Sequence, residues 1–407
     1  MEIIMEDILH TGQLGNGIHY YIRKTDLEPG LVYLALSVKA GSFYDGLKKG
    51  IAHLLEHCSM SLEKYNRTPF PFCYHGRAYT DYYSTNYIFA FQKDGIMDVF
   101  ERVQKLISGK FLKSEQLPEI KQDVIEEWHK KQANTDYQSL KRLLMGTDYN
   151  EYLPIGDIDI VSKLSFEEVY QFFKNWYTPE QTAVFLVGDV SFDWVEEIKK
   201  LEFQYKSKIK PAPMHVALSC RKQPETEKII PEQGKLLHYF YLVNWKSDIV
   251  CERYIKESFH YDFCHDVIAK AFENQENYCL DKKGCQCNFF APLQEIFYFS
   301  AEKENYKENE NIGQIREEIL SFVLSYFDQN FESMQKEYTA ALGHYNDYIN
   351  VLEMLNQCMD HYIYNKQLFD CNSKIKILSD YIYKIDRNKI KSLLYSILSK
   401  GAIEYIL

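Results

Sequence analysis

LVYLALSVKAGSFYDGLKKGIAHLLEH, residues 31–57, changes periodicity halfway along. Its first part, LVYLALSVKAGS (31–42), is β-branched and half-alternating and ends at Gly41-Ser42, which predicts a strand. IAHLLEHCSM (51–60) is apolar at helical spacing and predicts a helix. That helix carries His53, Glu56 and His57. At about 100° per residue the two histidines lie about 40° apart, within reach of a single ion. Glu56 falls about 60° to the other side of His53, where it could accept a proton without taking a ligand position. Imidazoles at i and i+4 suit zinc, which in catalytic sites takes a third protein ligand and keeps one position open. H-x-x-E-H is the inverted-zincin order, with roughly 0.03 chance occurrences expected in a chain of this size. The bland reading is two histidines on a core or surface helix.

Working outward, TNYIFAFQK (85–93) reads as a strand and GIMDVFERVQKLISG (95–109) as a helix. Pro118, at a first helical position, opens PEIKQDVIEEWHKKQ. This helix offers a third ligand, Glu126 or Glu127. With Ile120 as origin, Val124 lies at about 40°, Trp128 at about 80°, Glu127 at about 340° and Glu126 at about 240°. Glu127 borders the inward stripe, where a carboxylate is costly unless paired or metal-bound. It is the expected ligand, and Glu126 the solvent-facing neighbour. Ser165 and Glu168 form a capping box before VYQFFKNWY, and TAVFLVGDV (182–190) reads as a buried strand.

Between about 205 and 234 the pattern dissolves into a proline-rich stretch, so a linker is expected at 209–232, between domains at 1–208 and 233–407. The second half restarts with the strand KLLHYFYLVNW (235–245) and continues through helical patterns at roughly 252–273, 312–327 and 332–364. A weak internal repeat links KLSFEEVYQFFKNWYTPEQTAVFLV, from Lys163, with KIDRNKIKSLLYSILSKGAIEYIL, from Lys384. Each has an N-cap (Ser165 or Asp386), an amphipathic helix, a turn and a hydrophobic strand.

Composition sets the outer limits. The 407 residues exceed one compact core. Forty-seven Lys and Arg against 58 Asp and Glu leave a net charge of −11, which disfavours nucleic acid and anionic membrane surfaces. No apolar run approaches the ~20 residues of a membrane span. MEIIMEDILHTG has neither a basic nor an apolar leader region, so the ten cysteines are expected reduced, in a cytoplasmic protein.

With these residues in place, NGIHYYIRKT, LVYLALSVKAGSFYD and KKGIAHLLEH together resemble the opening domain of the insulinase/pitrilysin-type zinc metallopeptidases. Within that family the half-length, processing-peptidase-like branch is most similar. SFEEVYQFFKNWYTPEQTAVFLVGDV resembles the family's domain-closing segment and EQGKLLHYFYL the start of a second, homologous domain. The resemblance implies an α+β fold of two homologous domains, each a mixed, mostly antiparallel sheet with helices packed on one face. It implies that His53, His57 and Glu127 hold Zn2+ and that Glu56 is the general base. GRAYTDYYSTNYIFAF (76–91) is similar to the family's substrate-edge strand, which makes Ala78, Tyr79 and Thr80 the expected substrate-binding residues. Short or unfolded peptides are the implied substrates, peptide natural-product precursors among them.

The chain departs from the family pattern in three places. The spacing from His57 to Glu127 is shorter than usual. Ile120 stands where a further Glu is common, two helical turns before the ligand. In Leu280-Asp-Lys-Lys-Gly284-Cys-Gln-Cys287, Asp281 takes the place of an Arg and Cys287 that of a Tyr. A carboxylate cannot donate to a developing oxyanion, and a thiol is a weaker donor than a phenol. The expectation is therefore a zinc endopeptidase subunit completed by a homologous partner that supplies Arg and Tyr, a heterodimer. The alternative is a non-catalytic, zinc-binding scaffold subunit. Cys279, Cys285 and Cys287, the His260/Cys264/His265 group, His75 and His129, and EKENYKENEN (302–311) read as buried thiols, ordinary helix residues, surface residues and a solvated loop.

Overall fold

The computed structural model describes residues 7–65, 73–134, 137–138, 140–141, 144, 147–206, 229–230, 236–245, 251–291, 294–303, 311–342 and 350–406. They form two compact units. The first holds a six-stranded sheet of β1 (Asp7–Gln13), β2 (His19–Thr25), β3 (Leu31–Val38), β4 (Cys73–Thr80), β5 (Thr85–Gln92) and β6 (Thr182–Gly188). Their order is β1-β2-β6-β3-β5-β4, antiparallel except for the parallel pair β2 and β6. The helices α1 (Ile51–Tyr65), α2 (Ile96–Ile107), α3 (Leu117–Gln132) and α4 (Phe166–Trp176) share one hydrophobic core with a single face of this sheet, through Leu34, Leu36, Val184 and Leu186.

β6 is buried at every position, which requires cover on both faces. The second cover comes from far along the chain. α7 (Val351–Tyr364) lies on β6, β3 and β2. Tyr362 packs its ring against Tyr21 and Phe185, whose side chains point away from the α1–α4 layer, and Lys39 Nζ sits 4.1 Å over the Tyr362 ring. At the sheet's edge, Arg23 makes paired 2.7 Å bonds to Asp7 and a further bond to Gln357, with both ionic side chains 1% exposed. Asp7 also accepts from the Cys371 backbone.

Two loops place α1. Asp45 accepts hydrogen bonds from the N–H groups of Gly50 and Ala52, anchoring the first turn. Gly41 brings the end of β3 against the β4–β5 turn, where a Cβ would lie 2.4 Å from Asp81 O and 2.5 Å from Ser84 N. Ser42 and Phe43 donate their N–H groups to Asp81 O and Tyr82 O, so this turn is held by backbone on both sides.

The second unit repeats the plan. Its sheet runs β7-β11-β8-β10-β9, from β7 (Ile229–Ile230), β8 (Leu236–Asn244), β9 (Tyr278–Ala291), β10 (Gln294–Lys303) and β11 (Ala402–Ile406), with β7 and β11 parallel. Written as β2-β6-β3-β5-β4 against β7-β11-β8-β10-β9, the two orders correspond strand for strand. α5 (Cys251–Glu273), α6 (Ile312–Leu342), α8 (Cys371–Ile382) and α9 (Arg387–Lys400) complete the set of longer helices. α5 and α6 pack with this sheet and with one another, and α9 packs against both helices. The two repeat segments are α4–β6 and α9–β11, with Ser165 in a full capping box and Asp386 accepting from Asn388 N and Lys389 N. The fold is α+β, built from two like domains.

Three expectations change. Residues 350–372 belong to the first unit, although they fall inside the expected second domain; aromatic packing on the bare sheet face outweighs chain proximity. The helix expected to stop near 327 runs to Leu342, because Asp328-Gln-Asn-Phe331 holds neither Gly nor Pro. Within the expected linker, Ile229–Ile230 form β7, and the rest of 209–232 lies outside the described residues.

The buried ion pair yields a stability test. Burial pushes the Asp7 carboxyl up, but the Arg23 bonds and charge and the Cys371 N–H outweigh it and hold it below its usual value. Asp7→Ala is expected to cost about 3–5 kcal/mol in urea unfolding, and the double change Asp7→Leu with Arg23→Met much less. The folded pKa is depressed, so the pair's contribution is present above pH ~4 and lost as pH falls through the folded value. The gap between wild type and the double variant is expected to shift accordingly between pH 6 and pH 3.

Candidate metal centre

α1 packs against α3 and β4. This brings residues seventy apart in sequence together: Glu127 Oε2 lies 3.1 Å from His57 Nε2 and 3.5 Å from His53 Nε2. Candidate ligand atoms of His53, His57 and Glu127 all fall within 4.8 Å of one another. His53 is buried, while His57 and Glu127 are partly exposed, so the cluster opens to one side. On α3, Glu127 turns toward the two histidines, Glu126 is exposed, and Ile120 is buried in the core.

The protonation states suit a metal ion. Burial, with His57 adding to it, pushes His53 down to about 3, which keeps its imidazole neutral. The hydrogen bond from His57 outweighs burial at Glu127 and, with His53 and Lys131, brings its carboxyl down to about 2. Neutral imidazole and ionised carboxylate are the forms that ligate metals. His53 Nδ1 is buried without a hydrogen-bond partner among the described residues, leaving Nε2 as the nitrogen turned to the cluster. These residues fit a zinc ion. Lys131, one turn beyond Glu127, bonds its other oxygen, Oε1, at 3.1 Å; that i,i+4 spacing was readable from the sequence.

Glu56 stands beside the cluster, its Oε2 4.0 Å from His53 Nε2. Burial raises its pKa against the opposing pull of His57 and of a 2.8 Å hydrogen bond donated by Thr80 Oγ1. β4 is the edge strand of its sheet, paired with β5 alone among the described residues. Along it, Ala78 packs on the helix-side core, Thr80 reaches Glu56, and Tyr79 is exposed. The contact from Thr80 to Glu56 left no sequence signal, because it depends on strand register.

The lesser signals stay outside the centre. His260 Nε2 lies 2.5 Å from Tyr381 OH, Cys264 is a buried free thiol, and His265 Nδ1 sits 3.7 Å from Asp266. His129 is exposed, with its ring against Trp128. Cys279 is an exposed thiol, not the buried one expected; the side chains of His75, Cys285 and Cys287 and residues 304–310 lie outside the described set.

A fold built twice over, with an H-x-x-E-H helix in one copy only among the described residues, describes an inverted-zincin scaffold. Comparison with known proteins makes this specific. The insulinase (peptidase family M16) model matches residues 28–153, and the model described as the peptidase M16 inactive domain matches 163–255. The chain belongs to peptidase family M16. It is 26% identical over 215 residues to "Probable zinc protease PqqL" of Haemophilus influenzae, covering 49% of this chain and 23% of that protein. It is also 26% identical over 194 residues to the chloroplastic stromal processing peptidase of Arabidopsis thaliana, covering 45% of this chain and 15% of that protein. The matched stretch thus spans less than a quarter of either relative. The first half of the periplasmic protease PqqL from Escherichia coli superposes with a TM-score of 0.76 at 16% identity, over 100% of this chain and 93% of that one. A protease from Helicobacter pylori gives 0.70 at 16%, over 98% and 99%. At such identities these structures establish the fold.

Zinc titration against a competing chelator tests the ligand set. Glu127→Ala is expected to weaken binding by at least ~100-fold, and Glu126→Ala to leave it unchanged.

Proposed function

We propose that the chain is a zinc-dependent endopeptidase subunit that hydrolyses short or unfolded peptides, peptide natural-product precursors among them, in a chamber formed with a homologous partner. The convergence of His53 Nε2, His57 Nε2 and Glu127 Oε2 beside the carboxylate of Glu56 carries this reading. His53, His57 and Glu127 would hold the zinc. When bound, zinc supplies Lewis-acid polarisation of the scissile carbonyl and of water. Glu56 takes the proton from the attacking water and delivers it to the leaving amine. Burial raises its pKa, which makes it a stronger base than an exposed carboxylate. The open edge of β4 receives the peptide by backbone pairing at Ala78, Tyr79 and Thr80, and the exposed Tyr79 meets its side chains.

The sequence of β9 supports a partner. Asp281 and Cys287 fall on this edge strand, with their side chains outside the described set. Neither residue type replaces Arg and Tyr as a donor to a developing oxyanion, so both would come from the partner. We include a cytoplasmic location, in keeping with the reduced thiols of Cys58, Cys264, Cys279, Cys358 and Cys371. Among the described residues no helix is long and apolar enough to cross a membrane. The same two substitutions favour a second reading, a zinc-binding scaffold subunit without turnover.

Co-expression with the neighbouring gene product, followed by sizing, metal analysis and cleavage of an unstructured peptide, separates the readings. Glu56→Gln is expected to keep zinc and lower turnover by at least ~100-fold. Undiminished cleavage by the Glu56→Gln complex would remove Glu56 from the mechanism and leave the scaffold reading standing.

A further inference from the structure

Glu56 is held asymmetrically. Its Oε2 accepts the Thr80 hydroxyl at 2.8 Å, and its Oε1 has no hydrogen bond among the described residues. The carboxylate itself fixes the direction of that bond. Thr85 lies opposite Thr80 in the β4–β5 register, with the hydroxyl oxygens 3.4 Å apart. An ionised carboxylate only accepts, so the Thr80 proton goes to Glu56, while the Thr85 proton goes to Ala40 O at 2.9 Å. Thr80 is also the last residue before the turn pinned by Gly41, Ser42 and Phe43. The hydroxyl therefore sits on a strand end that cannot drift from α1.

We propose that Thr80 is a positioning residue for the general base. It fixes Oε2, the carboxylate oxygen nearest His53 Nε2, through a charge-assisted bond, and so sets the orientation in which the carboxylate takes and returns the proton. A strand alternates its side chains, so the Thr80 side chain serves Glu56 while its backbone stays at the open edge of β4. The residue that pairs with a peptide at this edge would thus be the one that orients the base, tying substrate position to proton transfer. This rests on the peptidase reading of the same centre.

Three variants of the full chain, Thr80→Val, Thr80→Ser and Glu56→Ala, test it, with an internally quenched unstructured peptide as probe and the co-expressed partner present. Thr80→Val keeps the β-branched shape and removes the donor. It is expected to lower kcat about 10- to 100-fold with KM within about twofold and zinc content unchanged, and Thr80→Ser to restore most of the rate. A Thr80→Val complex with wild-type kcat, or Thr80→Ser no better than Thr80→Val, would overturn the assignment. A double-mutant cycle of Thr80→Val with Glu56→Ala, read in urea unfolding of the metal-free chain, reports the bond without turnover. The unfolding constants are expected to depart from additivity by about threefold or more. If wild type cleaves nothing, the peptidase reading falls and the cycle still decides the Thr80 bond, with additivity overturning it.

Discussion

Helix α1 has to be held in depth, in rotation and along its axis for three donor atoms from two helices to meet within a few ångströms. Its axis is set where Asp45 accepts the N–H groups of Gly50 and Ala52. Depth comes from Ile51, Leu54 and Leu55, which are buried in the shared core. Rotation is fixed by what those apolar residues leave over: His53 and His57 toward α3, and Glu56 toward β4. A rotation of one residue would carry His53 and His57 off the Glu127 carboxylate, since neighbouring helix residues point about 100° apart. The core that stabilises the first unit is thus also the device that aims its polar residues, and core and centre share one constraint.

The duplication shows what such a scaffold requires and what it does not. Both units feed a helix into a strand lying between a parallel and an antiparallel neighbour. Only the first brings a His, His, Glu cluster together among the described residues. The corresponding helix of the second unit, α5, carries His260, Cys264 and His265. It directs them to Tyr381, the core and Asp266. The sheet order is therefore compatible with a packed interior in place of chemistry, and catalysis is added to the fold through a few side chains on one helix face.

What was legible in the sequence was whatever left a local signature. The change of period within 31–57 marked β3 and α1, Ser165 and Glu168 marked the start of α4, and the apolar run at 182–188 marked β6. A helical wheel was enough to prefer Glu127 over Glu126, because the inward stripe of α3 is anchored by Ile120 and Val124. Features set by distant packing were hidden. The continuity of α6 past Phe327 is a matter of missing breakers, which periodicity reads poorly when the apolar phase drifts. The assignment of α7 to the first sheet depends on rings at Tyr21, Phe185 and Tyr362, which no local pattern connects. Thr80 was expected at the substrate edge, but its hydroxyl faces Glu56 because of register, which follows only once the hairpin is paired.

The late return of α7 to the first sheet also bears on how the protein is made. A ribosome releases the chain from its first residue onward. The strands of the first sheet and the α1–α4 layer are therefore complete long before residues 351–364 emerge. Throughout that interval the face bearing Tyr21, Ala35 and Phe185 has no cover, and the Arg23–Asp7 pair lacks its bonds to Gln357 and Cys371. An exposed aromatic sheet face is a surface that chaperones and other nascent chains bind. The first unit is thus a domain in space but not in time: its last structural piece is synthesised after most of the second unit, and the two halves mature together.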